Sequence, residues 1–222
     1  METIHPLALA VLTGFISGIL LCIPVGPINL TIINEGSRRG FLWAFLIGLG
    51  ATMMEMLYCS IAFTGFSSIF GNRYIKATME VFSFLFLVFL GVKFLVARSV
   101  EAVNKIEERI EKKLHPHSAF MIGFVRTMGN PGVLIFWIIL AASFISREWV
   151  PANGAGKFAC VSGVGGGCFV WFLGLSWAVS LGHRRFSEHT LLKMEHYSGI
   201  ALILLGLAHG VRLAWLLGHH RM

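Results

Sequence analysis

Residues 24–29 read Pro24-Val25-Gly26-Pro27-Ile28-Asn29, and they interrupt an apolar block that runs from 7 to 33. The stretch Gly129-Asn130-Pro131-Gly132 interrupts a second such block, 119–145, in the same way. A proline has no N–H to donate, and its ring clashes with the carbonyl four residues earlier. Pro24 is therefore predicted to release the carbonyl of Leu20, Pro27 that of Ile23, and Pro131 that of Thr127. In hydrocarbon a free backbone group is costly unless protein or cavity water satisfies it, so a helix broken at membrane depth has to line something. A structural kink with no ligand is the plainer reading of any one such break.

Four more blocks long enough to cross about 30 Å of hydrocarbon accompany these two, at 41–70, 75–97, 158–181 and 197–217. Composition agrees: charged residues are 13% of the chain, half the roughly 25% of an ordinary globular domain. Hydrophobic residues are 56%, and the mean hydropathy is +0.76. A soluble fold of 222 residues could not hide that much apolar surface, so lipid is the expected solvent. The residues before the first block include Glu2 and no Lys or Arg, and the block itself is too long for the core of a signal peptide. The expectation is an all-α membrane protein of six transmembrane helices, the first and fourth of them broken. Cys22, Cys59, Cys160 and Cys168 all lie in apolar segments and read as small buried hydrophobes.

The net charge of +7 sits in short runs between the blocks, which suits an anionic membrane face rather than nucleic acid. One side receives Arg38, Arg39, Arg98, Lys105, Arg109, Lys112, Lys113, Arg184, Arg185 and Lys193; the other receives Arg73, Lys76, Arg147, Lys157 and Arg221. Ten against five makes the first side cytoplasmic and leaves both termini outside the cytoplasm. The polar stretch 101–113, with Val103, Ile106 and Ile110 at helical spacing, reads as a solvated linker with amphipathic character.

The chain also repeats itself. A shift of 115 residues lays Gly48 and Gly50 on Gly163 and Gly165, Met79-Glu80 on Met194-Glu195, Ser83 on Ser198, and Gly91 on Gly206. A shift of 104 lays Pro27 on Pro131. Three helices per unit reverse direction, so the second unit is expected upside down: a 3+3 inverted repeat with units 1–98 and 119–222 and a cytoplasmic linker at 99–118. Paired breaks at repeat-equivalent positions point to a solute site in a secondary transporter. The start of a half-helix attracts a carboxylate, while released carbonyls attract an ammonium, so the breaks suit a zwitterion. The candidate binding residues are Pro24, Gly26, Pro27, Asn29, Asn130, Pro131 and Gly132.

The hexapeptide at 24–29, Arg38-Arg39-Gly40-Phe41, Gly48-Leu49-Gly50-Ala51 and the acid at Glu55 resemble the first half of the lysine exporter (LysE) translocators. Residues 120–137, with Asn130-Pro131, resemble the start of their second half; Arg126 and Gly132 depart from the usual pattern. The resemblance implies a bacterial inner-membrane exporter of amino acids or similar small solutes, driven by a gradient of protons or Na+.

Three ionisable residues lie at membrane depth. Glu55 falls near the middle of the second block, where a charge costs roughly 2.5–3.5 kcal/mol and demands a cavity or a partner. Arg126 either reaches the headgroups or pairs with Glu55 or a substrate carboxylate. His209 reads as a packing residue or a proton relay in the last helix. Glu80 and Glu195 are expected in first turns, offsetting helix dipoles. No phosphate loop, nucleophile triad, zinc motif or dinucleotide fingerprint is present, so neither enzyme chemistry, a cofactor nor a metal is expected. A cation or metal exporter on a related repeat would need more ligands at the breaks, and a non-transporting membrane scaffold would need no paired breaks. A homodimer is compatible with the chain but is not specified by it.

Overall fold

Pro6, Pro27 and Pro131 each open a helix, the one position where a missing N–H removes nothing and a fixed φ helps. The structure, a computed structural model, describes residues 5–24, 26–65, 73–97, 109–110, 113–114, 118–181 and 188–218. The main elements are α1 (Pro6–Cys22), α2 (Pro27–Arg39), α3 (Phe41–Gly65), α4 (Arg73–Val96), α5 (Ala119–Met128), α6 (Pro131–Ser146), α7 (Gly154–Ser180) and α8 (Glu188–Gly218). No strand occurs among the described residues. The apolar block 7–33 becomes α1 and α2, whose axes meet at 70°; the block 119–145 becomes α5 and α6, which meet at 67°. The expected breaks are therefore present in both blocks.

Helix starts follow from local side chains. Ser118 accepts the N–H of Met121 at 3.2 Å and opens α5, and Asn153 accepts that of Gly156 at 2.8 Å and opens α7. Gly40 alone separates α2 from α3, at a φ of +85° that favours glycine. By length and apolarity α3 and α7 can each cross a membrane, and each bent pair passes only when its two parts are joined, which gives two to four candidate spans. At 24 and 31 residues α4 and α8 exceed the roughly 20 that a crossing needs, though they do not pass the same apolarity test within the described residues.

Packing is built on glycine. Helix α1 lies along α7, and α5 lies along α3. A Cβ on Gly18 would meet the Val164 carbonyl and one on Gly167 that of Phe15; across the other pair, Gly123 meets the carbonyl of Ile47 and Gly50 that of Phe120. Backbones this close exclude any side chain at the crossing. The two crossings use matching positions: 105 residues on from Phe15 and Gly18 stand Phe120 and Gly123, and 117 residues on from Ile47 and Gly50 stand Val164 and Gly167. A second set of contacts, Gly14 on the Cys160 carbonyl and Gly163 on that of Val11, matches the α3–α5 crossing equally, at shifts of 109 and 113. The α1–α7 crossing thus carries one more turn of glycine contacts than the α3–α5 crossing.

Helix α4 packs on α8, where Gly91 and Gly199 face each other, and touches the core through α6. There Ser146 donates to Glu80 Oε1 at 2.6 Å. Glu80 lies two turns inside α4, and Glu195 two turns inside α8, so neither is the first-turn acid that the sequence suggested. The apolar stretch began later than the helix does, because α4 starts in the polar residues from Arg73. All four cysteines are buried free thiols. Most of the 99–118 linker lies outside the described residues, as does the side chain of His209.

Candidate functional site

At the first break the chain leaves α1 at Cys22 and re-enters helix at Pro27. Two carbonyls exposed by the interruption point at one side chain: Asn29 Nδ2 donates to Cys22 O at 2.7 Å and to Pro24 O at 2.8 Å. Its Oδ1 accepts the indole N–H of Trp171 in α7 at 3.3 Å. Asn29 is 4% exposed, so this amide is the internal substitute for the missing helical bonds. No side chain caps the first turn of α2.

The second break is closed differently. The Met128 carbonyl accepts the Tyr58 hydroxyl of α3 at 2.6 Å. The Thr127 carbonyl, expected to be released by Pro131, accepts the N–H of Asn130 at 3.1 Å. Asn130 turns its Oδ1 back to the N–H of Gly132 at 3.1 Å and so caps α6 itself. The two breaks therefore differ in chemistry. The first leaves the start of α2 without a side-chain cap, and the second has its own.

Between the breaks lie the ionisable residues. Glu55 is 6% exposed, and its Oε2 accepts the indole N–H of the fully buried Trp137 at 2.6 Å. It stands within electrostatic range of Cys22 and Tyr58, that is, of the edge of each break. Arg126, half-buried, donates to the Thr31 hydroxyl, and Thr31 donates to the Pro27 carbonyl at 2.6 Å. Arg126 thus ties the helix before the second break to the helix after the first. It pairs with Thr31 and not with Glu55, one of the partners weighed from sequence. Beside this contact a cleft of about 550 Å³ opens between α2 and α5, lined by Thr31, Asn34, Glu35, Arg38, Arg39 and Arg126 among others.

The fold brings together Pro24, Pro27, Asn29, Glu55 and Arg126 with four residues that sequence reading passed over: Thr31, Tyr58, Trp137 and Trp171. One signal was available for three of them, since a Tyr or Trp buried in an apolar helix needs an acceptor for its polar end. Gly26 is half-buried beside Asn29, whereas Pro131 and Gly132 are exposed. Of the three carbonyls expected to await an ammonium, that of Thr127 is already bonded; the side chains at the breaks reach those of Cys22, Pro24 and Met128 instead. Among the described residues no group of three or more His, Cys, Asp or Glu converges.

The family model described as "LysE type translocator" matches residues 19–212. A relative named "Putative amino acid efflux protein YcgF", from Bacillus subtilis (strain 168), is 25% identical over 199 residues, which cover 90% of this chain and 94% of that protein. No solved structure matches.

Proposed function

From the premise that the chain belongs to the LysE-type translocator family, we propose that it is a secondary exporter of amino acids or similar small zwitterions across the bacterial inner membrane, coupled to a proton or Na+ gradient. The observation that carries this reading is the pair of bent helices, 70° and 67°, whose breaks are bridged by buried polar side chains at membrane depth. The printed name of the Bacillus relative, an amino acid efflux protein, points the same way.

In this reading the chain crosses the membrane six times as two inverted units, and the matched glycine crossings of α1 on α7 and α5 on α3 support that arrangement. The substrate carboxylate binds at the start of α2, where the N–H groups of the first turn have no side-chain cap and the helix dipole favours an anion. Asn29 holds the first break in shape for it, and Asn130, Pro131 and Gly132 form the matching turn of the second unit. The ammonium is met by the remaining lone pairs of the Cys22 and Met128 carbonyls and by Glu55. Because Glu55 is buried beside both breaks, it is also the group placed to exchange a coupling proton as the cavity changes access.

The test is transport by the purified protein in lipid vesicles. An imposed pH or Na+ gradient is expected to drive accumulation of radiolabelled amino acids above that of protein-free vesicles. Amino-acid movement no faster than in empty vesicles under either gradient would end this reading.

A further inference from the structure

The cleft between α2 and α5 is separate from the breaks but opens beside the first of them. Its volume of about 550 Å³ lies within the roughly 300–1,000 Å³ of small-molecule sites. Its lining carries three guanidiniums, Arg38, Arg39 and Arg126, against one carboxylate, Glu35. That carboxylate already faces Arg39 at 2.9 Å, and Arg39 also lies over the Trp43 ring at 4.3 Å. The lining as a whole is therefore positive by two charges, three minus one. A cleft lined by one sign of charge concentrates solutes of the opposite sign and repels those of its own. Guanidinium is also the side chain best shaped to hold a carboxylate through two parallel hydrogen bonds.

Depth adds direction. Arg38 and Arg39 are exposed at the rim, whereas Arg126 is half-buried and bonded to the buried Thr31. Thr31 in turn holds the carbonyl of Pro27, the first residue of α2. A solute passing from the rim to Arg126 has therefore reached a side chain two hydrogen bonds away from the first break.

We propose that this cleft is the solute entrance of the transport path, and that Arg38, Arg39 and Arg126 select solutes bearing a carboxylate with no surplus positive charge: neutral and acidic amino acids over dibasic ones. Arg126 is the specificity-determining residue, because it alone of the three reaches from the cleft to the break. The proposal rests on the exporter reading above and narrows its substrate class.

Counterflow exchange in vesicles holding the full-length protein tests it with a panel of neutral, acidic and dibasic amino acids. The wild type is expected to prefer the neutral and acidic members by about tenfold, the low end of what a focused field contributes to capture. Arg126→Gln should reduce that preference to about twofold or less, and Arg38→Gln, at the exposed rim, should reduce it part of the way. The rim variant keeps the test decisive if Arg126→Gln does not yield folded protein. Exchange of lysine or arginine as fast as that of alanine or glutamate would overturn the selectivity while leaving the exporter reading intact. Retention of the wild-type preference in the folded variants would overturn the role of the arginines. Exchange of no panel member by folded protein would remove the exporter reading itself, and this proposal with it.

Discussion

Removing the indole N–H that Trp137 gives to Glu55 leaves a buried carboxylate oxygen without that donor. Trp137→Phe is expected to cost about 1–3 kcal/mol, the usual penalty for a buried acceptor deprived of its partner. Thermal unfolding in detergent reads this directly, and an unchanged midpoint would mean that the bond adds nothing. Glu55→Gln is the complementary change: it keeps the shape and the acceptor for Trp137 but removes the proton. That variant should keep counterflow exchange, which needs no net proton movement, and lose accumulation driven by a pH gradient. Wild-type accumulation would make Glu55 structural and move attention to His209. At this scale the sequence showed the acid but not its setting. An acid in a long apolar run stands out by itself, whereas its partner lies 82 positions away; Tyr58 and Met128 are 70 apart, and Asn29 and Trp171 are 142 apart. Nothing local announces such pairs.

The breaks were legible because they rest on covalent facts about single residues: a proline lacks its N–H wherever it is placed. Which carbonyls side chains would take was not legible: Asn29 reaches those of Cys22 and Pro24 and Tyr58 that of Met128, none of the three named from proline geometry. Glycine shows the same limit. Its abundance in the long helices suggested close approach, but contact decided which glycines matter. Gly123 has the Ile47 carbonyl where its Cβ would be, while Gly174 has open space. Gly123→Ala is expected to destabilise the α3–α5 crossing by about 1–3 kcal/mol, as overpacking does, and Gly174→Ala to be neutral. The yield of monodisperse protein after extraction, together with its unfolding temperature, separates the two. Equal behaviour would mean that the crossing relaxes freely.

For the molecule as a whole, the ten-to-five distribution of basic residues predicts that 34–40, 98–118 and 183–195 face the cytoplasm. Single cysteines substituted for Ser99 and Asn153 in a variant lacking the four native thiols should be labelled by an impermeant reagent on intact cells at 153 and not at 99. The reverse pattern would invert the molecule. Which glycines meet a backbone was not legible either: identity laid Gly48 and Gly50 on Gly163 and Gly165, yet Gly165 meets the Met56 side chain and Gly48 that of Phe172. Helices α2 and α3 are joined by Gly40 alone, so the joint has no slack. Glu55 stands about 20 Å along α3 from that joint, at 1.5 Å per residue. With so short a linkage the end of α2 has little room to move without drawing the first turn of α3 after it, while the glycine leaves the angle between the two helices free to change.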